Sequence, residues 1–120
     1  MTSKDVAMAF AAMLKEGKHD EAAAQFNAPD IASYEAMEGP MAACHGADAV
    51  RAKSEWWYAN HEVHSATAEG PLVNGDQFLM RFSLDVTPKM TGQRMQMEEH
   101  GLYTVRDGKI VEERFFYPTA

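Results

Sequence analysis

A chain of 120 residues, 46% hydrophobic and 24% charged, suits one soluble globular domain with room for a real core. Eighteen acidic against eleven basic side chains leave a net charge of −7, with no basic cluster for nucleic acid or an anionic membrane. One cysteine, Cys44, excludes an internal disulfide; with a polar start and no bilayer-length apolar run, the expectation is a cytoplasmic protein.

The first predicted element is a helix over residues 3–16. Val6, Ala9, Phe10, Met13 and Leu14 recur at the spacing of one buried stripe. Thr2 and Asp5 have capping-box spacing, and Gly17 is placed to end the helix in the left-handed region. A shorter, alanine-rich helix is expected over 20–26, with Ala23 and Phe26 inward. Ala28-Pro29 closes it, because a residue before proline avoids helical dihedrals. A short strand over 31–37 stops at Glu38-Gly39-Pro40. After His45-Gly46 a third helix is expected over 47–60, with Asp48 near its positive end and Val50, Ser54 and Trp57 on one side.

From His61 the period changes to two. Val63, Ser65 and Thr67 alternate with His64, Ala66 and Ala68 as far as Gly70-Pro71. Asn74-Gly75-Asp76 signals a turn, and Phe78, Met80, Phe82, Leu84 and Val86 then mark one face of a half-buried strand. A turn over 88–92 leads into a hairpin spanning 93–117. Its first strand sets Met95, Met97, Gly101, Tyr103 and Val105 on one face, with Glu99 among them. A carboxylate on an apolar face needs an explanation, since burying it unpaired is costly. Three helices followed by a four-stranded antiparallel meander make an α+β domain.

The turn at Asp107-Gly108 decides which side chains of the last strand join Glu99. A two-residue loop pairs Val105 with Ile110, Gly101 with Arg114 and Glu99 with Phe116. A three-residue loop, with Gly108 at positive φ, pairs Tyr103 with Val111, Gly101 with Glu113, Glu99 with Phe115 and Met97 with Tyr117. A slip of one residue turns every side chain to the other face. Local sequence leaves both open.

The helix ending at Glu16-Gly17, the short helix ending at Phe26, the Ala28-Pro29-Asp30 turn and His45-Gly46 stand in a distinctive order. Together with the closing run Val105 through Asp107-Gly108-Lys109-Ile110-Val111-Glu112-Glu113 to Phe115-Phe116-Tyr117, they resemble the SnoaL-like branch of the nuclear transport factor 2-like superfamily. The resemblance implies three N-terminal helices packed in a strongly curved antiparallel sheet, the cystatin-like cone, with a pocket at its open end. Members include isomerases, polyketide cyclases, dehydratases and non-catalytic association domains, so fold does not fix function. The resemblance favours the three-residue loop, which puts Glu99 and Glu113 on one pocket wall with Tyr103 and Tyr117.

Known machinery does not carry over. Positions matching the isomerase's oxyanion tyrosine and aspartate are Phe10 and Gly101; its base falls near Tyr34 or Glu35, and the cyclase's acid near Pro118. The residues themselves suggest another set. Glu99 and Glu113 would exchange protons, each raising the other's pKa in an apolar pocket, with Tyr117 or Tyr103 donating to an oxyanion. Met97, Phe115, Trp57 and Glu38 would bind substrate. The competing, structural reading pairs the two glutamates with Arg81, Arg114 or a tyrosine hydroxyl. His61 and His64 point to opposite faces of a strand, no zinc spacing appears, and no phosphate loop or cofactor fingerprint is present, so neither metal nor cofactor is expected. The expected partner is a small apolar, polyketide- or steroid-like molecule. Leu102, Ile110 and Phe116 on the outer face predict a homodimer, and the rival to an enzyme is a dimeric ligand-binding or association module.

Overall fold

A computed structural model describes residues 1–118. Its elements are α1 (Ser3–Lys15), α2 (His19–Phe26), β1 (Asn27–Tyr34), β2 (Ala43–His45), α3 (Ala47–Asn60), β3 (His61–Asn74), β4 (Gln77–Pro88), β5 (Met95–Arg106) and β6 (Lys109–Phe116). The capping box forms as its spacing required. The Asp5 N–H donates to Thr2 Oγ1 at 3.1 Å, and the Thr2 N–H to Asp5 Oδ2 at 3.0 Å. Gly17, at φ 77°, follows the helix end.

All six strands join one sheet in the order β2-β1-β6-β5-β4-β3. Three expectations are corrected here. Only two helices precede the first strand, because β1 and β2 come before α3. β1 starts at Asn27, four residues earlier than the expected 31, and pairs in parallel with β6, Ser33 lying beside Glu113. The sheet is therefore mixed. β3 also runs on through Gly70-Pro71 to Asn74, with a register shift between Glu69 and Leu72 absorbing the interruption. Strand periodicity reports which face is buried and is silent on which distant strand lies alongside.

α3 touches β1 and β2 at one edge of the sheet and β3 at the other, so the sheet must bend around it. α1 packs against β3, β4 and β5 on the same concave side. Phe10, Phe26, Ile31, Phe78, Met80 and Ile110 fill the core between them.

The final hairpin follows neither expected register throughout. Asp107 at φ 52° and Gly108 at φ 76° form a two-residue turn, with Arg106 facing Lys109 and Val105 facing Ile110. The ladder then shifts: Thr104 faces Glu112, leaving Val111 as an extra, bulged residue. Beyond it Tyr103 faces Glu113 and Gly101 faces Phe115, so Gly101 meets neither Glu113 nor Arg114. The three-residue loop is thus wrong, yet the bulge restores its parity. Glu113 and Phe115 end on the same side as Gly101 and Tyr103. Ile110, expected outside, is fully buried. Gly108→Ala is expected to cost about 1–2 kcal/mol through left-handed strain, read from a urea melt.

Candidate functional site

A cavity of about 290 Å³ opens on the concave side, between the sheet, α2 and α3. β5 supplies Glu99 and Tyr103 to it, β6 supplies Glu113 and Phe115, and α3 supplies Lys53 and Trp57. Glu35, just past the end of β1, completes the polar wall, and α2 adds His19 and Asp20 to the lining.

Of the residues expected from sequence, Glu99, Glu113, Tyr103, Phe115 and Trp57 line the chamber. Met97, Tyr117 and Glu38 do not. Met97 pairs with Leu84 across β4, and Glu38 is exposed in its turn. Tyr117 donates its hydroxyl to Glu35 Oε1 at 3.4 Å and so reaches the chamber only through that carboxylate.

Sequence reasoning missed Lys53 and Ser33. Lys53 Nζ donates to Ser33 Oγ at 2.5 Å and to Glu35 Oε2 at 3.2 Å, and lies 5.3 Å from the Phe115 ring centroid. The signal was present: Lys53 follows Val50 by three and precedes Trp57 by four, inside the stripe that faces the sheet. A lysine there must find a carboxylate. Ser33 is completely buried and gave no such sign, because its role depends on a helix 20 residues away.

Burial dominates the electrostatics. It raises Glu99 to about 7, with the Glu35 charge adding to the rise and Lys53 opposing it. It likewise raises Glu113 to about 7; there Lys53 is the leading opposing charge, and Glu35 and Glu99 push upward. Burial, then the charges of Glu113, Glu99 and Glu35, holds the Tyr103 phenol well above its ordinary value. It stays a hydroxyl. Tyr117 is raised too, chiefly by burial.

The two arginines that the structural reading offered as partners are engaged elsewhere. Arg81 binds Glu98 and lies 3.8 Å from Glu69, while Arg114 lies 3.9 Å from Glu112 and covers the Tyr34 ring at 4.4 Å. Among the described residues, neither Glu99 nor Glu113 forms a salt bridge. Both face the chamber instead.

Gly101 does not leave an open space between them. A Cβ there would stand 2.9 Å from Tyr103 Cε2 and 3.0 Å from its hydroxyl, so the phenol ring folds back over the glycine. Phe78 stacks on that ring at 4.9 Å and Phe10 leans on it at 5.1 Å, which blocks retreat. Gly101→Ala is expected to destabilise by about 1–3 kcal/mol, the usual cost of overpacking, in the same urea melt.

The remaining candidates have structural partners. Trp57 stacks on His61 at 4.3 Å, and His61 Nδ1 donates to the Trp57 carbonyl at 2.8 Å. His64 Nε2 lies 2.8 Å from Thr87 Oγ1. No group of three or more metal-ligating side chains occurs among the described residues. No helix described is long and apolar enough to cross a membrane. What the chamber can do chemically is hold and move protons, between two carboxyls that titrate near neutrality beside a phenol.

Comparison with known proteins agrees with this architecture. The family model for the SnoaL-like domain matches residues 1–117. A Mesorhizobium loti structure, provisionally described as a SnoaL-like polyketide cyclase and alongside that as a carbohydrate phosphatase, is 61% identical. The match covers 98% of this chain and 100% of that one, with a TM-score of 0.95. A nuclear transport factor 2-like protein from Burkholderia thailandensis is 20% identical over 98% of this chain and 92% of its own, at a TM-score of 0.81. A Bacillus subtilis protein, provisionally described as an isomerase, is 17% identical over 98% and 90%, at 0.75. At those identities the last two speak for the fold alone. No curated protein matches the chain. With its family model spanning 1–117 and a relative of 61% identity along almost its whole length, the chain belongs to the SnoaL-like family.

Proposed function

We propose that the chamber carries out cofactor-independent acid–base chemistry on a small, largely apolar carbonyl compound of polyketide- or steroid-like type. The supporting observation is that Glu99 and Glu113 converge on one cavity wall while Arg81 and Arg114 bind other partners. Two repelling carboxyls ionise one after the other, so near neutral pH the pair holds about one proton. Lys53 is the leading charge acting on Glu113 and Glu35 the leading one on Glu99, which favours the reading with Glu99 as the acid and Glu113 as the base. Glu113 as carboxylate then takes a proton from the carbon beside the carbonyl. Glu99 returns one, and the Tyr103 hydroxyl donates a hydrogen bond to the oxygen as charge develops. Isomerisation, cyclisation and dehydration all use this exchange. Tyr117 acts only by holding Glu35.

The test is deuterium uptake from D2O at the α-carbons of a panel of cyclic ketones, followed by NMR. Exchange faster with this protein than with its Glu99→Gln/Glu113→Gln variant supports the reading. Equal rates across the whole panel leave a non-catalytic ligand-binding module, the second reading.

Either reading includes a cytoplasmic homodimer. Leu72, Leu79 and Leu102 stand side by side across β3, β4 and β5 on the convex face, Leu72 being 71% exposed, and Phe116 is 46% exposed. Such a row favours a cover. Light scattering at micromolar concentration should give twice the chain mass; a monomer there would refute the dimer.

A further inference from the structure

We propose that the ligand of this chamber carries a protonated amine on a largely apolar body, its ammonium seated between Glu99, Glu113 and the Tyr103 hydroxyl. The inference rests on the chamber being the ligand site and takes the second reading, a ligand-binding module, because an ammonium seated there occupies the groups that handle the proton and the oxygen in the first.

The lining carries four carboxyls, Asp20, Glu35, Glu99 and Glu113, against two permanent cations, Arg51 and Lys53. Lys53 is already held by Glu35 at 3.2 Å and Ser33 at 2.5 Å. Arg51 bonds Asp48 at 3.1 Å, with its side chain 68% exposed. Burial holds the His19 imidazole toward its neutral form. Tyr58 and Tyr103, the remaining titratable groups of the wall, are both raised and stay uncharged. α1 and β4 contribute only Phe10, Leu14, Phe82 and Leu84. Glu99 and Glu113 therefore form no salt bridge among the described residues, and the Lys53 charge that acts on both is already paired with Glu35.

A second, independent observation is the Tyr103 hydroxyl. The residue is 4% exposed, lines the chamber, and forms no hydrogen bond among the described residues. Its oxygen folds back over Gly101, toward the Glu99 end of β5. An ammonium has three N–H donors; the two carboxyl groups and this oxygen offer it one acceptor each. The walls suit the rest of such a ligand. Phe10, Phe82, Phe115 and Trp57 bury an apolar body and offer ring faces to a cation, and Lys53 already sits over Phe115 in that manner. An anion would instead meet the half-buried carboxyls of Glu99 and Glu113 beside an ammonium already paired with Glu35.

The experiment compares benzylammonium, benzyl alcohol and benzoate, three probes matched in size, by calorimetric titration near pH 7. Benzylammonium should bind at least about tenfold tighter than benzyl alcohol, with benzoate weakest, the scale of a charge-assisted hydrogen bond. Its affinity should rise between pH ~6 and ~8, where the probe stays protonated and the carboxyls ionise. Glu99→Gln and Glu113→Gln should each lower amine affinity about tenfold and leave the alcohol within about twofold. Equal binding of amine and alcohol, tighter binding of benzoate, or no binding of the amine overturns the proposal, and the unmodified protein decides this without any variant. Ketone exchange without a preference for the cation sinks this inference alone. A preference for the cation without exchange sinks the catalytic reading alone.

Discussion

Glu113→Gln should melt at a temperature roughly 10 °C above the parent near pH 8, and at nearly the same temperature near pH 4. The sign follows from the direction of the shift. Glu113 sits at about 7 in the folded chain against an ordinary value of 4.5, so the folded state binds its proton more tightly than the unfolded chain does. Below about 4.5 both states are protonated and the group costs nothing. As pH rises from there to about 7, the unfolded chain ionises freely while the folded one resists, and stability falls. Above about 7 the full penalty remains. A shift of that size corresponds to roughly 2–3 kcal/mol after allowing for water in the chamber, and glutamine removes it. Glu99 behaves in the same sense, since its own rise to about 7 has burial as first cause. Thermal melts of the two proteins across this pH range check the claim. A variant less stable than its parent near pH 8 would mean that Glu113 is held by an ion pair after all.

Loss of the shared proton should abolish most of any catalysis. Glu99→Gln keeps the shape and hydrogen-bonding capacity of the side chain and removes its titratable group. For a ketone that the protein accepts, deuterium exchange should fall by roughly two to four orders of magnitude, the usual reach of general acid–base catalysis. The parent's rate should peak near neutral pH, because one carboxyl must be ionised while the other keeps its proton. A flat profile through that range, or exchange unchanged in the variant, would remove these glutamates from the mechanism. Ligand affinity measured alongside separates a lost proton from a lost binding contact.

The inner face of β5 was legible in the sequence because a strand's side chains alternate whatever it pairs with. Met95, Met97, Glu99, Gly101, Tyr103 and Val105 needed only period two, and the buried end of that series, Gly101 through Val105, is where it was expected. The first helix was legible too, since its apolar stripe, capping box and terminal glycine are all local. Glu99 stood out as the one carboxylate in an apolar row. That Glu113 shares its wall required the fold. The bulge at Val111 decides which side of the sheet the last strand presents, and an extra residue in a ladder leaves no mark in local composition. Tertiary structure alone also set β1 in parallel beside β6, which brings Ser33 and Glu35 within reach of Lys53. It sent Arg81 and Arg114 to the outer carboxylates and the Tyr34 ring, and it turned Tyr117 toward Glu35. Periodicity depends on a residue and its near neighbours, whereas the charges that meet in a chamber depend on strands and helices far apart along the chain. So the sequence named one chamber carboxyl and its apolar surroundings, and the curved sheet determined which carboxyls, which ammonium and which phenol stand around it.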